Sequence, residues 1–416
     1  MPTRDLGWRD DLRRRLLRLG MVRGERALSS PSSRPRVAIE NIVDGSFHET
    51  PHGRCFVASG SFPADHLHGD LALGNFLNLS SDAVATVGDE AGLAEADLRQ
   101  SLFLDTETTG LSGGTGTMAF VVGMGFFEKD RFRLLQTFLR DPGDEPAMIH
   151  LLAELLPRFE ALVSFNGRGF DLPILETRFI LARRRFPLVE TPHMDLLPPS
   201  RRLWRSLLPS CALGTLEREV LGVVRDQADV PGGVIPYIYR DYLRTGDARE
   251  ISRVLYHNQV DILSMVTLAA RLVQTFASPW SRQELTGAEL YCLARWYRQS
   301  GGEQERALLE ALGGDLSHDL RLRALRDLAL FLKRQDRRAE AIGWWQQLAI
   351  EDPAGIRAPV ELAKTFEWHI RRLMLASAWT QLALERAEEW PAGQRRERAL
   401  ARLRHRLERL RGKLEE

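Results

Sequence analysis

The sequence predicts an α/β domain built on a mixed β-sheet flanked by helices, followed by an all-α helical-repeat domain. Between residues 99 and 276, short apolar strands come first and then alternate with helix-like segments, which is typical of a mixed sheet. From residue 284 to residue 416 the pattern is helical throughout, with a repeat of 34 residues. These two observations predict two domains, with the boundary between residues 276 and 284.

Length and composition agree with this division. A chain of 416 residues exceeds one ordinary core, and 44% hydrophobic with 27% charged residues is typical of globular proteins. The net charge of +1 excludes a strongly basic field over the whole protein. Cys55, Cys211 and Cys292 are far apart, so we expect neither disulfides nor structural zinc.

We expect a cytoplasmic protein without membrane contact. No run of about 18 apolar residues is present. The N-terminus begins with charged residues and lacks the apolar core of a signal peptide.

Two segments precede the α/β domain. Residues 1–36 combine a basic amphipathic stretch with a Ser/Pro-rich linker, and the arginines there could face solvent or contact nucleic acid. Residues 37–98 give mixed signals, although residues 54–58 could form a strand. We expect residues 37–98 to be an extension that packs on the next domain.

The first strand of the α/β domain carries two acids at its end, in the stretch 102–110. Side chains alternate along a strand, so Asp105 and Glu107 point to one face and Thr106 to the other. Two neighbouring carboxylates are tolerated where a divalent cation neutralises them. The alternative is an edge strand that runs into a polar turn, where both acids are solvated.

The next elements follow in order. Residues 118–127 and 132–139 are predicted strands joined by a hairpin turn at 128–130. Residues 145–159 have helical periodicity, and residues 161–165 form another short buried strand.

Two further acids follow this strand. Asp171 comes after a glycine-containing turn and opens a helix, where it could be a metal ligand or only a helix cap. Asp261 lies four residues after His257, so both are on one face of a later helix. The alternative for that pair is a structural hydrogen bond.

Asp-x-Glu-Thr-Thr-Gly at 105–110, Asn-x-x-x-Phe-Asp at 166–171 and the helix with Asp261 resemble the three motifs of the D-E-D-D 3′–5′ exonucleases, which have an RNase H-like fold. The second motif is most similar to the proofreading domains of family B polymerases. Segments 113–117, 196–204, 229–232 and 257–258 resemble one bacterial family, the YprB-type RNase H-like proteins. The resemblance covers about residues 45–276, and the helical repeats fit the same family.

The resemblance implies phosphodiester hydrolysis by two divalent cations. It implies that Asp105, Glu107, Asp171 and Asp261 are the metal ligands, with Asp105 bridging the two ions. Oxygen-only ligation favours Mg²⁺ or Mn²⁺.

One position departs from the pattern of the resembling exonucleases. They place a Tyr four residues, or a His five residues, before the last Asp to orient the attacking water. Here Tyr256 is at minus five and His257 at minus four. The two positions differ by about 100° around a helix, so only one faces the site. We favour His257 as the general base and expect Tyr256 to be packed.

Basic residues follow the second motif. Arg201, Arg202 and Arg205 are the predicted contacts of the substrate phosphates, and we add Thr108 and Asn166 as substrate-binding residues. The arginines at 183–185 could equally be a solvated helix face. Asp195 is either an auxiliary carboxylate or a turn-stabilising residue.

The helical repeats are recognised by a recurring pattern. Leu328-Ala329 and Trp345 recur at Leu362-Ala363 and Trp379, which resembles stacked hairpins of the tetratricopeptide kind. Such an array could recruit a protein partner.

Three functions follow from the sequence. The first is a 3′–5′ exonuclease on single-stranded DNA or RNA ends. The second is an endonuclease or resolvase of the RNase H-like group. The third is a nucleic-acid-binding module with a partner-recruiting repeat domain.

Overall fold

The computed structural model describes residues 36–110, 116–226, 229–281 and 285–415. The basic segment predicted at the N-terminus lies outside these residues, apart from its last position. Three residues of the glycine-rich segment, 113–115, lie outside them as well.

A seven-stranded mixed sheet forms the centre of the α/β region, as the sequence predicts. Its order is β1-β2-β7-β6-β5-β8-β9, with β5, β8 and β9 parallel and the other neighbours antiparallel. A separate ribbon consists of β3 and β4. The strands in chain order are β1 (Gly45–Thr50), β2 (Gly53–Pro63), β3 (Leu67–His68), β4 (Leu71–Ala72), β5 (Ser101–Thr108), β6 (Ala119–Glu128), β7 (Arg131–Phe138), β8 (Ala161–Ser164) and β9 (His193–Asp195).

Strand β5 is an interior strand of the sheet, between β6 and β8, and its residues are suited to burial on both faces. Leu102, Phe103 and Leu104 are fully buried. Strands β6 and β7 pair as the predicted hairpin, and Lys129 in the turn adopts φ 56°. Since β8 pairs with β5 only from Ser101 to Phe103, the end of β5 that carries the acids is free on that side.

Residues 37–98 contribute directly to the sheet. Strand β2 pairs with β7 and β1 pairs with β2, so two strands from this segment form one edge. The buried run from Cys55 to Ala58 includes the stretch that the sequence marks as a possible strand. The sheet therefore begins well before residue 99.

Seven α-helices belong to the described part of the chain before residue 281, and the longest crosses the sheet. They are α1 (Ser81–Gly88), α2 (Glu145–Leu155), α3 (Asp171–Leu181), α4 (Leu197–Trp204), α5 (Leu213–Leu216), α6 (Ile235–Thr245) and α7 (Arg249–Ala277). Helix α7 is long and apolar enough to cross a bilayer. However, 72% of its most apolar 18-residue window is buried inside the protein, as in a core helix, so this is weak evidence for a membrane span.

The region after residue 285 is all-helical. Consecutive helices pack on one another, and the paired Leu-Ala positions at 328–329 and 362–363 are fully buried. One hydrophobic core continues from the sheet through α7 into this region. Its helices are α8 (Gly287–Ser300), α9 (Gln304–Gly313), α10 (His318–Arg334), α11 (Arg338–Glu351), α12 (Arg357–Trp368), α13 (Leu373–Glu388) and α14 (Gln394–Glu415).

Candidate active site

Asp105 lies on the central strand β5, at the point where α7 crosses it. Asn258 of α7 donates from Nδ2 to Asp105 Oδ2 at 2.7 Å. Burial raises the pKa of Asp105 well above its usual range, and the neighbouring Asp261 and Asp171 carboxylates raise it further. The carboxylate is therefore held in one orientation beside two other acids.

Asn258 is itself fixed by β7, which lies two strands from β5 in the sheet. It is fully buried, and its Oδ1 accepts from Gln136 Nε2 at 2.8 Å. Glycine at position 123 lets the helix approach, because a Cβ there would overlap Asn258 Oδ1 and lie 2.5 Å from Ile262 Cδ1. The close approach of α7 thus depends on a glycine inside β6.

Glu107 shares the end of β5 with Asp105. It is buried, and burial followed by the charges of Asp105, Asp261 and Asp171 raises its pKa well above the usual range. The pairing of β5 with β6 shifts register between Glu107 and Thr108. The Thr108 hydroxyl donates to the Gly110 carbonyl at 2.7 Å, so it stabilises the turn after the strand.

Asp171 is the first residue of α3 and turns its carboxylate to β5. Its Oδ1 accepts from the Thr106 backbone N–H at 3.1 Å and from the Thr106 hydroxyl. Burial raises the pKa of Asp171 to about 6, although the bonds from Thr106 oppose that rise. Asp171 therefore joins α3 to the free edge of β5, a contact that the capping alternative does not include.

Asp261 stands opposite these acids, on α7, and is bound by an arginine. The Arg225 guanidinium donates to Asp261 Oδ1, and two of its nitrogens donate to Glu217 at 2.6 Å each. Burial raises the pKa of Asp261, whereas His257 and Arg225 lower it. Arg225 thus places a cation at the edge of the acidic cluster.

His257 lies one turn before Asp261 and faces the same side. Its Nδ1 is 2.7 Å from Asp229 Oδ1 and 3.0 Å from Arg225, and its Nε2 is 3.7 Å from Asp261 Oδ2. One nitrogen cannot both donate to Asp229 and accept from Arg225, so the shorter contact assigns the proton to Nδ1. In the neutral imidazole Nε2 is then the unprotonated nitrogen, and it faces Asp261.

Burial alone would lower the pKa of His257, but the Asp229 hydrogen bond and the Asp261 charge raise it overall. Tyr256, the other residue considered from the sequence, contacts Asp226 instead, and burial raises its hydroxyl pKa. Of these two residues, His257 is the one in contact with an acid of the site.

The four acids, Asp105, Glu107, Asp171 and Asp261, are close enough to alter one another's pKa. Within the described ranges, no three His, Cys, Asp or Glu side chains surround a single point ready for a metal ion. The donor set nevertheless consists of carboxylate oxygens, and their mutual repulsion would be relieved by a hard divalent cation. In donor chemistry the residues fit Mg²⁺ or Mn²⁺.

Two polar residues after β8 shape the rim of the site. Asn166 has φ 64°, a left-handed conformation that asparagine tolerates, and its backbone N–H donates to Asp195 at 2.8 Å. Asp195 also accepts from the backbone N–H groups of Arg168 and Leu197. Asp195 thus makes the bonds of a turn-stabilising residue, which was one of its two sequence-based interpretations.

A cavity of about 720 Å³ is lined by two of the four acids, Asp105 and Asp261. Asn166, Arg201 and Arg205 line the same cavity. Arg202 does not line this cavity. Its guanidinium binds Asp89 at 3.0 Å.

Several residues that organise the site were given no functional role from the sequence. Asn258, Gln136, Thr106, Arg225 and Glu217 bind the acids directly or through one neighbour. The glycines at 123 and 125, two residues apart within a strand, were a usable signal of a closely approaching helix.

Comparison with known proteins agrees with this architecture. Residues 102–273 match the RNase H superfamily. The chain is also 34% identical over 325 residues to a Bacillus subtilis (strain 168) protein named uncharacterized protein YprB, covering 75% of this chain and 76% of that protein. Membership of the RNase H superfamily indicates a nuclease. The chain therefore belongs to the YprB family of proteins with an RNase H superfamily domain.

Proposed function

We propose that this protein is a metal-dependent 3′–5′ exonuclease acting on single-stranded DNA or RNA ends. The observation that supports this most is the convergence of Asp105, Glu107, Asp171 and Asp261 beside a cavity whose wall carries Arg201 and Arg205. A cluster of buried carboxylates suits divalent cations, and arginines suit phosphates.

Each residue has a distinct task in the proposed reaction. Two Mg²⁺ or Mn²⁺ ions, held by the four carboxylates, would activate water and stabilise the leaving oxygen. His257 Nε2 accepts the proton as water attacks phosphorus, and the bond from phosphorus to the preceding 3′ oxygen breaks. Asn258 keeps Asp105 oriented, and Arg201 and Arg205 position the phosphates.

The distinguishing experiment follows cleavage of end-labelled single-stranded DNA and RNA with Mg²⁺ or Mn²⁺. A ladder that shortens from the 3′ end, absent with Asp105→Asn and retained with Asp44→Asn, is the expected result. Asp44 is an exposed aspartate outside the site and controls for loss of one charge. Internal cuts would indicate the endonuclease, and binding without cutting would indicate the recruitment module.

The helical region and the cysteines support two further parts of the proposal. The 34-residue pattern and the consecutive helix pairs support a tetratricopeptide-like array that could hold a protein partner. All three cysteines are free thiols, which supports a reducing, cytoplasmic location.

A further inference from the structure

A second cavity, of about 430 Å³, lies beside the one at Asp105 and Asp261. Arg201 and Arg205 of the α4 region line both cavities, so the two meet at these arginines and are together called the groove. The second cavity continues to α8, the first helix of the helical region, where Arg295 and Arg298 complete its wall. The groove therefore runs from Asp105 and Asp261 to a helix outside the matched nuclease domain.

The groove is strongly basic. Within the described ranges, no carboxylate forms an ion pair with Arg201, Arg205, Arg295 or Arg298. Arg202 lies over the Trp296 ring at 5.5 Å and pairs with Asp89. Among the residues that the structure describes, no acidic side chain lines the part of the groove between α4 and α8.

Some arginines of the helical region are paired with carboxylates, and others such as Arg402 and Arg411 form no ion pair among the described residues, but Arg201, Arg205, Arg295 and Arg298 line one cavity together. Arg321 binds Glu351, Arg337 binds Glu305, and Arg406 binds the buried Glu367. A ligand with repeated negative charges binds where several exposed cations lie close together and have no carboxylate partners. The accumulation at the groove therefore points to a polyanion.

Helix α8 is fixed to the nuclease domain. Trp204 at the end of α4 donates from Nε1 to Glu289 Oε1 at 3.1 Å. Glu289 also forms a capping box with Thr286, which sets where α8 begins. Leu203 and Leu293 are fully buried in the shared core. The arginines of α8 thus have a defined position relative to the acids.

We propose that α8 extends the substrate channel, with Arg295 and Arg298 binding phosphates of a single-stranded nucleic acid whose end lies at the acidic cluster. This proposal rests on the proposed function. Trp296 is only 3% exposed, so the groove offers charge rather than an aromatic platform for bases. Binding there is therefore through the backbone and independent of base sequence.

The test measures binding of full-length protein to labelled oligo-dT and oligo-U by fluorescence anisotropy in EDTA, where no cleavage occurs. The variant is Arg295→Gln/Arg298→Gln. Its matched control is Arg402→Gln/Arg411→Gln, which removes two exposed arginines of α14. Strands of about 15 and about 4 nucleotides are compared, since a short strand occupies only the end near the acids.

The expected result is a smaller salt dependence with the long strand. Loss of two phosphate contacts should reduce the slope of log Kobs against log salt by about 1.4, from roughly 0.7 per contact. The short strand should bind both variants like wild type, and the control should keep the wild-type slope. With Mg²⁺, KM for long strands should rise while kcat stays unchanged.

Other results would overturn the proposal in separable ways. A wild-type slope in the α8 variant, with cleavage intact, would refute the channel extension and leave the nuclease standing. An equal loss in the control would show a general charge effect and refute it as well. Equal affinity for a duplex would refute the single-strand assignment. Failure of the wild type to bind either strand would refute the proposed function itself.

Discussion

Arg225 donates a hydrogen bond to Asp261 while two of its nitrogens bind Glu217 at 2.6 Å. Glu217 is only 1% exposed, so this arginine is its compensating charge. A single side chain therefore neutralises a buried carboxylate and contacts one acid of the candidate active site.

Replacing Arg225 with Ala should destabilise the metal-free protein. A buried carboxylate that loses its partner typically costs about 3–5 kcal/mol, so the free energy of unfolding in urea should fall by about that amount. Arg225→Ala/Glu217→Leu should recover much of the loss, because no unpaired charge remains. Arg218→Ala, at a surface pair with Glu219, should change it by less than about 1 kcal/mol. A double variant no more stable than the single would contradict this account.

Asp105→Asn should stabilise the protein in EDTA at neutral and higher pH. The pKa of Asp105 is higher in the folded protein than in the unfolded one. The Asp105 carboxyl therefore makes its full contribution to the free energy of unfolding below the unfolded pKa. That contribution is lost as pH rises through the folded pKa. The advantage of the variant over wild type should therefore grow as pH rises from the unfolded pKa toward the raised folded pKa, and Asp44→Asn, at an exposed carboxylate outside the cluster, controls for the loss of one charge.

In Mg²⁺ the wild type should instead be more stable than Asp105→Asn, because an ion that binds only the folded protein raises its free energy of unfolding. Thermal unfolding with and without Mg²⁺ measures both effects. A wild-type protein that is most stable at pH 8 in EDTA would contradict mutual repulsion among the four acids.

His257→Ala should slow hydrolysis by about 10²–10⁴-fold if Nε2 is the general base. Tyr256→Phe should have little effect, because its hydroxyl contacts Asp226 rather than an acid of the site. The Asp229 hydrogen bond helps to raise the pKa of His257, and a base acts only when unprotonated. Asp229→Asn should therefore move the acidic limb of the pH–rate profile to lower pH. If Tyr256→Phe slowed hydrolysis more than His257→Ala, then Tyr256 rather than His257 would be the residue that activates the water.

Local pattern was sufficient to predict the fold class and the elements that carry the acids. Apolar runs interrupted by turns located β5, β6, β7 and β8, and helical spacing placed His257 and Asp261 on one face. The two strands from residues 37–98 were less evident, because β1 is an exposed edge strand whose burial pattern carries little hydrophobic alternation.

The sequence could not predict contacts between residues that are far apart in the chain. Arg225 is 36 residues from Asp261, and Thr106 is 65 residues from Asp171, so no local spacing reports either contact. For Asp171 the capping preference of aspartate is a local effect, whereas in the folded chain its carboxylate accepts from Thr106 at the free edge of β5. The site is therefore a product of tertiary packing around predictable acids.

Gly123→Ala should both destabilise the protein and impair catalysis. The new methyl group would overlap Asn258 Oδ1 and lie 2.5 Å from Ile262 Cδ1, forcing α7 or β6 to shift. Overpacking of this kind costs about 1–3 kcal/mol, and displacement of Asn258 would release Asp105 from its fixed orientation. We expect a lower free energy of unfolding in urea together with a lower kcat.

Gly60→Ala is the matched control, because it also places a methyl group within a strand of the same sheet. Its Cβ would be 3.5 Å from the Phe62 ring, an ordinary contact, so the unfolding free energy should change by less than about 1 kcal/mol. Catalysis should be unchanged, because Gly60 contacts none of the acids. If Gly123→Ala lost stability but kept wild-type kcat, the close approach of α7 would be needed only for packing. Asn258 would then not be what orients Asp105 for catalysis.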